Sequence, residues 1–177
     1  MLLSPHFLSI YCINTLKREM KRIFFILVIS FLPVLCLAQH FSVKVIGISD
    51  GDTFTCINDD NLQLKIRING IDAPEKRQAF GNKSKEFLSS LIFGKKISID
   101  VQSKDGYGRY IAYVYSPEGK DVALLMLHEG MAWHFTKYDN SKVYSDAENV
   151  ARKAKRGLWT ESSPIAPWDF RAQSKKK

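Results

Sequence analysis

Acidic residues flank a glycine in the turn Asp50-Gly-Asp-Thr53 of this 177-residue sequence. Carboxylates held on a tight turn are suited to a hard cation, because such ions prefer oxygen ligands. A plain Asp/Gly turn explains the same four residues and is the more common outcome. The tetrapeptide alone therefore leaves two interpretations open.

A second acidic segment, Asp72-Ala-Pro-Glu75, follows about twenty residues later. In a catalytic interpretation Asp72 is a second cation ligand, and Glu75 is a general base that accepts a proton from a nearby water. A structural interpretation is equally good: Asp72 caps a helix, Pro74 opens it and Glu75 completes a capping box. The segment by itself does not decide between them.

Two arginines lie close to these carboxylates in the sequence. Arg67 is on the polar side of an alternating segment, and Arg109 leaves the glycine-containing connection Lys104-Asp-Gly-Tyr-Gly-Arg109. A guanidinium offers paired donors that match phosphate oxygens. Each arginine alone is more simply explained by solvation, and the two glycines by a tight connection.

Taken together, the four segments supply two aspartates for a cation, one glutamate for a water and two arginines for a phosphoryl transition state. The sequence offers few of the residues that other nuclease and hydrolase mechanisms need. His128 and His134 have no paired or metal-ligand spacing, and the sequence contains neither a phosphate-binding glycine loop nor a serine nucleophile elbow. The sequence therefore favours metal-assisted phosphodiester chemistry without histidine.

The elements that must position these residues follow from hydrophobic periodicity. Alternation and strand-forming residues predict five strands, at 41–48, 53–57, 62–68, 97–101 and 110–115. Helical spacing predicts three helices, each ended by a glycine, with apolar stripes at Phe87/Leu88/Leu91/Ile92, Val122/Leu125/Met126 and Val143/Ala147/Val150/Ala151/Ala154. This order is an α+β pattern, and five short strands are enough for a small closed barrel such as an OB-fold.

The first 38 residues are typical of a secretory signal. A short cationic segment begins at Met20, and Ile23–Leu37 is almost wholly apolar but shorter than the roughly 20 residues that a bilayer span needs. The sequence thus predicts cleavage after Ala38 and a secreted or periplasmic protein, with an uncleaved anchor as the alternative. Met20 is a second candidate for the first residue.

The mature chain is divided into a domain at 39–161 and a tail at 162–177. The tail is rich in Pro and Ser, ends in three lysines and is expected to be extended or disordered. The full sequence has a formal net charge of +8, and removing 1–38 takes four basic residues and one acidic residue away, which leaves +5. This balance favours polyanionic partners such as nucleic acid. Cys56 is then the only cysteine, so no internal disulfide is predicted.

Six pieces in order make the chain resemble the thermonuclease family, that is, staphylococcal-nuclease-like domains. The resemblance covers about residues 41–160 and is carried by Asp50-Gly-Asp-Thr53, Lys65-Ile-Arg67, Gly70-Ile-Asp-Ala-Pro-Glu75, Tyr107-Gly-Arg109, Glu129-Gly-Met-Ala132 and Gly157-Leu-Trp159. It implies an OB-fold, a five-stranded β-barrel with three helices. It also implies a single Ca²⁺ held by Asp52, Asp72 and the main-chain carbonyl of Ala73.

The resemblance assigns roles to the remaining residues as well. Arg67 and Arg109 match the family's phosphate-binding arginines, and Glu75 matches its catalytic carboxylate. Tyr107 matches an aromatic residue of the nucleotide pocket, and Tyr138 matches another. The implied protein is an endonuclease of low sequence specificity that hydrolyses DNA and RNA and leaves 3′-phosphate ends.

The expected mature protein is a monomer that needs neither a stable protein partner nor a membrane. The chain departs from the best-known member of the family at Ala73, where that member has a threonine, and in the loop 76–83. A main-chain ligand survives the first change, whereas the second puts substrate preference in question. A catalytically inactive nucleic-acid-binding module of the same fold is the alternative function.

Overall fold

The structure is a computed structural model that describes residues 17–18, 20–22 and 40–174. The chain divides into two units, 1–37 and 38–177. In the first unit the described residues are helical. The predicted signal segment otherwise lies outside the described residues, as do the three terminal lysines at 175–177. Within the described ranges, no helix is both long and apolar enough to cross a membrane.

A closed five-stranded barrel forms the centre of the second unit, as predicted. The strands in spatial order are β1 (His40–Ile48), β2 (Thr53–Ile57), β3 (Gln63–Ile68), β6 (Tyr110–Tyr115) and β5 (Lys96–Lys104), and β5 pairs back onto β1. All the pairings are antiparallel except the one between β3 and β6, which is parallel. The OB-fold and the α+β class are thereby confirmed.

Alternation along the strands fills the barrel interior with branched aliphatic side chains. In β3, Ile66 and Ile68 are fully buried, whereas Leu62, which was expected on the same face, precedes the strand and is exposed. The other buried residues of the barrel strands are Val43, Val45, Phe54, Cys56, Ile97, Ile99, Ala112 and Val114. Each large apolar side chain buried in this way stabilises the fold by about 1.5–3 kcal/mol, which gives the strand ends a rigid base.

Three helices form where helical spacing predicted them: α1 (Gly81–Ile92), α2 (Val122–His128) and α3 (Lys142–Lys153). The first two pack against barrel strands, and α3 packs mainly against α2. The stripe predicted for α3 was partly wrong, because Val143 and Val150 are exposed. The inward face of α3 instead carries Tyr144, whose ring lies against Gly70 and whose hydroxyl donates to Asp121 at 2.7 Å. A large aromatic side chain one residue later takes the place that Val143 was expected to fill.

Two short elements place the residues of the candidate site. Strands β4 (Ile71–Asp72) and β7 (Trp133–His134) form a separate two-stranded antiparallel sheet, and a 3-10 helix covers Gly157–Thr160. A fourth helix, α4 (Pro167–Ser174), follows. The prediction of an extended or disordered tail from residue 162 was therefore wrong for α4.

The position of α4 has a simple physical cause. Pro167 is its first residue and is buried, and proline is well tolerated in a first helical turn. The ring of Trp168 stacks on Phe135 with centroids 5.3 Å apart and meets the edge of Trp133 at 5.7 Å. These aromatic contacts hold α4 beside β7, and through β7 beside β4.

Candidate active site

The turn between β1 and β2 holds Asp52 in a fixed, buried position. Its main-chain N–H donates to the Asp50 carboxylate at 3.1 Å, and its own carboxylate accepts from the Thr53 hydroxyl at 2.8 Å. Burial and the neighbouring charge of Asp52 raise the pKa of Asp50 to about 6. The residues of the predicted cation turn are thus ordered by hydrogen bonds rather than solvated.

Arg67 joins the two aspartates that were expected to hold a cation. Pairing of β2 with β3 sets Thr53 opposite Arg67 and so brings Arg67 beside the turn. Its Nη2 lies 2.8 Å from Asp72 Oδ1 and 3.4 Å from Asp52 Oδ2, while Nη1 donates to the Ile71 carbonyl at 2.9 Å. The Arg67 side chain is 13% exposed, so the alternative of a solvated strand arginine is wrong.

Asp72 is almost completely buried in β4. Burial raises the pKa of its carboxyl group and so does the charge of Asp52, whereas Arg171 and Arg67 oppose the rise. The next residue, Ala73, donates its N–H to Asp52 Oδ2 at 2.9 Å. The main chain at Ala73 therefore runs directly beside both carboxylates.

The capping-box interpretation of Asp72 and Glu75 is wrong. Helix α1 begins only at Gly81, with Phe80 as its N-cap residue, and Asp72 belongs to a strand. Glu75 lies in the connection between them, where its N–H donates to the Gln78 side chain at 3.1 Å. Both carboxylates are thus left for a role other than starting a helix.

Arg109 approaches the site from the opposite side of Asp52. Its Nη1 is 3.5 Å from the Thr53 hydroxyl, which itself donates to Asp52. Its Nε donates to Asp105 at 2.8 Å, and the same carboxylate accepts the main-chain N–H groups of Tyr107 and Arg109. These bonds lower the pKa of Asp105 in spite of the raising effect of burial. They also order the loop that carries Arg109.

Two tyrosines that were expected to bind substrate lie at the margin of the site and are exposed. Tyr107 is 89% exposed, with its ring 5.6 Å from Arg109 Cζ. Tyr138 is 68% exposed and packs on Phe135 at 4.9 Å, and the Phe135 ring is in turn 5.9 Å from Arg67 Cζ. Their position is compatible with stacking on bases, but that role stays a prediction.

Asp52, Asp72 and the main chain at Ala73 fit a hard cation. Both carboxylates are buried and lie within 3.4 Å of the same Arg67 nitrogen. No group of three or more His, Cys, Asp or Glu side chains in the described ranges is arranged to hold a metal ion. A cation at this place would be held by few protein ligands, all of them oxygen, and would keep several waters, which Ca²⁺ tolerates.

Arg171 of α4 is a member of the site that the sequence analysis missed. Its Nη2 lies 2.6 Å from Asp72 Oδ2, and its Nη1 lies 2.7 Å from Glu75 Oε1. Burial alone would lower the pKa of Arg171, but the hydrogen bonds that it donates to Asp72 and Glu75 outweigh burial and raise the pKa. Pro167 followed by Trp168 and Arg171, at the helical spacing of three, was the available signal.

His134, whose spacing argued against a catalytic role, has a structural one. His134 is buried, and its ring nitrogens lie 2.9 Å from Asp139 Oδ1 and 3.0 Å from Ser145 Oγ. With both nitrogens engaged, this side chain fixes the short strand β7 and is not available as a base.

Comparison with known proteins agrees with this geometry. Residues 65–161 match the model of the staphylococcal nuclease homologue family. An uncharacterized endonuclease of Haemophilus influenzae is 40% identical over 140 residues, which cover 79% of this chain and 78% of that protein. An uncharacterized endonuclease of Escherichia coli is 38% identical over 139 residues, 78% of this chain and 89% of the other.

A plant protein shares the domain in a longer chain. A probable staphylococcal-like nuclease of Oryza sativa subsp. japonica is 40% identical over 119 residues, 66% of this chain and 32% of its own. The family model spans more than half of this chain, and the bacterial relatives match it over most of their length. The chain therefore belongs to the staphylococcal nuclease family.

Proposed function

We propose that this protein is an exported, Ca²⁺-dependent endonuclease. It hydrolyses phosphodiester bonds of DNA and RNA with low sequence specificity and leaves 3′-phosphate ends. The bacterial relatives are named as uncharacterized endonucleases, which supports the reaction class. The calcium requirement, the range of substrates and the product ends rest on the resemblance and on the chemistry of the site.

One observation carries the proposal: carboxylates and guanidinium groups alternate in a continuous series of contacts at one end of the barrel. Glu75 contacts Arg171, Arg171 contacts Asp72, Asp72 contacts Arg67 and Arg67 contacts Asp52. A purely structural site gains little from burying so many charges, because their desolvation opposes their attraction. Phosphodiester hydrolysis, in contrast, needs negative and positive groups within reach of one phosphate.

The chain's own residues divide the reaction between them. Glu75, whose side chain is 39% exposed, accepts a proton from the attacking water. The water oxygen bonds to phosphorus as the bond to the 5′-oxygen breaks, and that oxygen takes its proton from solvent. Arg67 and Arg109 donate to the phosphoryl oxygens as their charge increases. A cation bound by Asp52 and Asp72 supplies Lewis-acid polarisation of the phosphate and of the water.

The catalytically inactive binding module is the competing function. Such a module would need the basic groups but not the carboxylates, since these repel a phosphate strand. Here the buried pair Asp52 and Asp72 and the more exposed Glu75 all lie in the series of contacts with the arginines. Keeping three carboxylates beside a phosphate site favours the enzyme.

Digestion of single- and double-stranded DNA and RNA by the purified protein tests the enzyme directly. We expect cleavage of all four substrates in Ca²⁺, weak cleavage in Mg²⁺ and none in chelator, because the larger ion tolerates an incomplete set of protein ligands. Product 3′ ends should resist extension by a polymerase until a phosphatase has removed the 3′-phosphate. Equal turnover in Mg²⁺ would contradict the calcium requirement, and binding without cleavage would favour the inactive module.

Export is tested separately, because the segment that would direct it lies outside the described residues. We expect the protein recovered from the periplasm or the medium to begin at Gln39, after cleavage behind Ala38. Recovery in the membrane fraction with the segment intact would instead support the anchored form.

A further inference from the structure

Arg171 contacts two residues that have different roles in the proposed chemistry. The same guanidinium donates to Asp72, a proposed cation ligand, and to Glu75, the proposed base, at 2.6 and 2.7 Å. It comes from α4, which lies beyond the residues matched by the family model. Among the hydrogen bonds found in the described residues, Arg171 is the only side-chain partner of the Glu75 carboxylate.

A divalent cation and Arg171 would both use the carboxylate of Asp72. Asp72 presents Oδ1 to Arg67 and Oδ2 to Arg171, so each of its oxygens already accepts from a guanidinium. Buried in this way, Asp72 has little freedom to rotate toward a third positive group. Two positive charges within a few ångströms of each other in a partly buried site repel strongly.

The balance of charge points in the same direction. Three carboxylates, Asp52, Asp72 and Glu75, are in contact with the two guanidinium groups of Arg67 and Arg171, and Arg109 is linked through Thr53. Arg109 is itself paired with Asp105, and Asp50 adds a carboxylate beside Asp52, so the arginines offset only part of the negative charge of the site. Removing one arginine makes the site more negative and a better cation ligand.

The way in which α4 is docked allows Arg171 to leave Asp72 without unfolding of the helix. Trp168 stacks on Phe135 and meets Trp133, while the Gln78 side chain donates to the Ile165 carbonyl. The contacts that hold α4 in place are aromatic rings and this one hydrogen bond, and they lie outside the series of charges. The helix can therefore stay docked while the half-buried Arg171 side chain, 41% exposed, moves away from Asp72.

We propose that Arg171 sets the cation affinity of the site by competing with the divalent cation for Asp72, as a counter-ion built into the chain. Arg171 leaves Asp72 when the cation binds, and since the same guanidinium holds Glu75, its departure also releases the base. The carboxylate that accepts the proton thus becomes free only in a site that has bound its cation. The inference rests on the proposed cation site at Asp52 and Asp72.

Calcium titration of the full chain in a calorimeter, without nucleic acid, measures the affinity independently of turnover. We expect Arg171→Gln to bind Ca²⁺ on the order of tenfold more tightly than the unchanged protein, which is the size of effect that one charge has on a group about 4–6 Å away. Arg171→Lys, which keeps the charge, should remain closer to the unchanged protein. Arg156→Gln, at an arginine that contacts His128 and Glu129, is the control for net charge.

A second variant tests the same inference in case Arg171→Gln does not fold. Trp168→Leu keeps Arg171 but removes the stacking that docks α4, and we expect it to tighten Ca²⁺ binding in the same direction. The Ca²⁺ concentration that gives half-maximal cleavage should fall in parallel with the dissociation constant.

The outcomes separate the inference from the proposed function. Equal Ca²⁺ affinity of Arg171→Gln and the unchanged protein would overturn the competition and leave the cation site standing. Weaker binding by the variant would overturn it too and make Arg171 a residue that orients Asp72. If neither protein binds Ca²⁺, the cation site itself is wrong, and the inference is wrong with it.

Discussion

The main chain of Gly51 lies directly against the side chain of Ser84. A Cβ atom placed on Gly51 would be 2.8 Å from Ser84 Cβ and 2.7 Å from Ala73 Cβ, closer than such atoms approach. Ser84 is buried and donates its hydroxyl to the Met131 carbonyl at 2.6 Å, so it has nowhere to move. The close approach presses the turn that carries Asp52 onto α1.

We expect Gly51→Ala to lower the free energy of unfolding by about 1–3 kcal/mol, the usual cost of overpacking. It should also reduce turnover, because a displaced turn moves Asp52. Urea unfolding and a digestion assay measure the two effects. Gly47→Ala is the control, since the nearest atom to its added Cβ is 3.9 Å away. Equal losses in both variants would mean that the contact with Ser84 is unimportant.

Lysine should not replace either site arginine. Arg67 donates to Asp72 and to the carbonyls of Ile68 and Ile71 and forms an ion pair with Asp52. Arg109 uses Nε and Nη1 on different partners. An ammonium group cannot reproduce these paired directions. We expect Arg67→Lys and Arg109→Lys to lower kcat on the order of a hundredfold, or about 3 kcal/mol. Near-normal kcat in a folded Arg67→Lys protein would show that its role is misassigned. Lys65→Gln, on the exposed side of the same strand, is the matched control.

Glu75→Gln should separate catalysis from binding. Gln keeps an oxygen that can accept from Arg171 but cannot take a proton from water, so kcat should fall by about 10²–10⁴ while affinity for a substrate strand changes little. The exposed Glu75–Arg171 pair contributes only about 0–1 kcal/mol to stability, so the variant should fold. Turnover and strand binding are to be measured on the same preparation, with Glu86→Gln on the exposed side of α1 as the control. A parallel fall of both would indicate a structural role for Glu75.

The barrel and its site differ in how far the sequence could predict them. Strict alternation around Ile66 and Ile68 identifies a strand with one buried face, and the order of the segments then brings Asp52 and Arg67 to one end of a barrel. Local periodicity is enough for this. The same local rules made a helix start at Asp72 and Glu75 as good an interpretation as a catalytic one, because a capping box can be recognised from four residues whether or not a helix follows.

The residues of helix α4 carry only a weak signal, Pro167 with Trp168 and Arg171 three apart, which could not by itself place the helix. An eight-residue helix is unstable in isolation, and tertiary packing supplies its stability. The partners of Trp168 are Trp133 and Phe135, more than thirty residues earlier, and no periodic pattern reports such a contact. Arg171 was missed for this reason, although its ion pairs with Asp72 and Glu75 are shorter than the one between Arg67 and Asp72.

The thiol of Cys56 should be inert in the folded protein. It is fully buried in β2, and burial raises its pKa from 9.0 to about 11. The folded thiol therefore stays neutral where the unfolded one has ionised, and the free energy of unfolding should fall as pH rises from about 9 to about 11.

The pH dependence of the free energy of unfolding of Cys56→Ala tests this expectation. The variant is expected to be less stable at every pH, but its stability should fall less steeply between pH 9 and 11, because tyrosines and lysines titrate alike in both proteins. Alkylation should require denaturant. Rapid alkylation of the native protein at pH 8 would contradict the buried position.

Closure of the barrel leaves each of its five strands hydrogen-bonded on both sides. A folded molecule of this kind offers no unpaired barrel edge onto which another copy could add a strand, so edge-to-edge aggregation is suppressed as long as the barrel is shut. The protection comes late in folding, since His40 on β1 must find Asp100 on β5, sixty residues away, and loop closure over such a distance is slow. The vulnerable species is therefore the open sheet, and conditions that prolong its lifetime should produce aggregates even where the native barrel is stable.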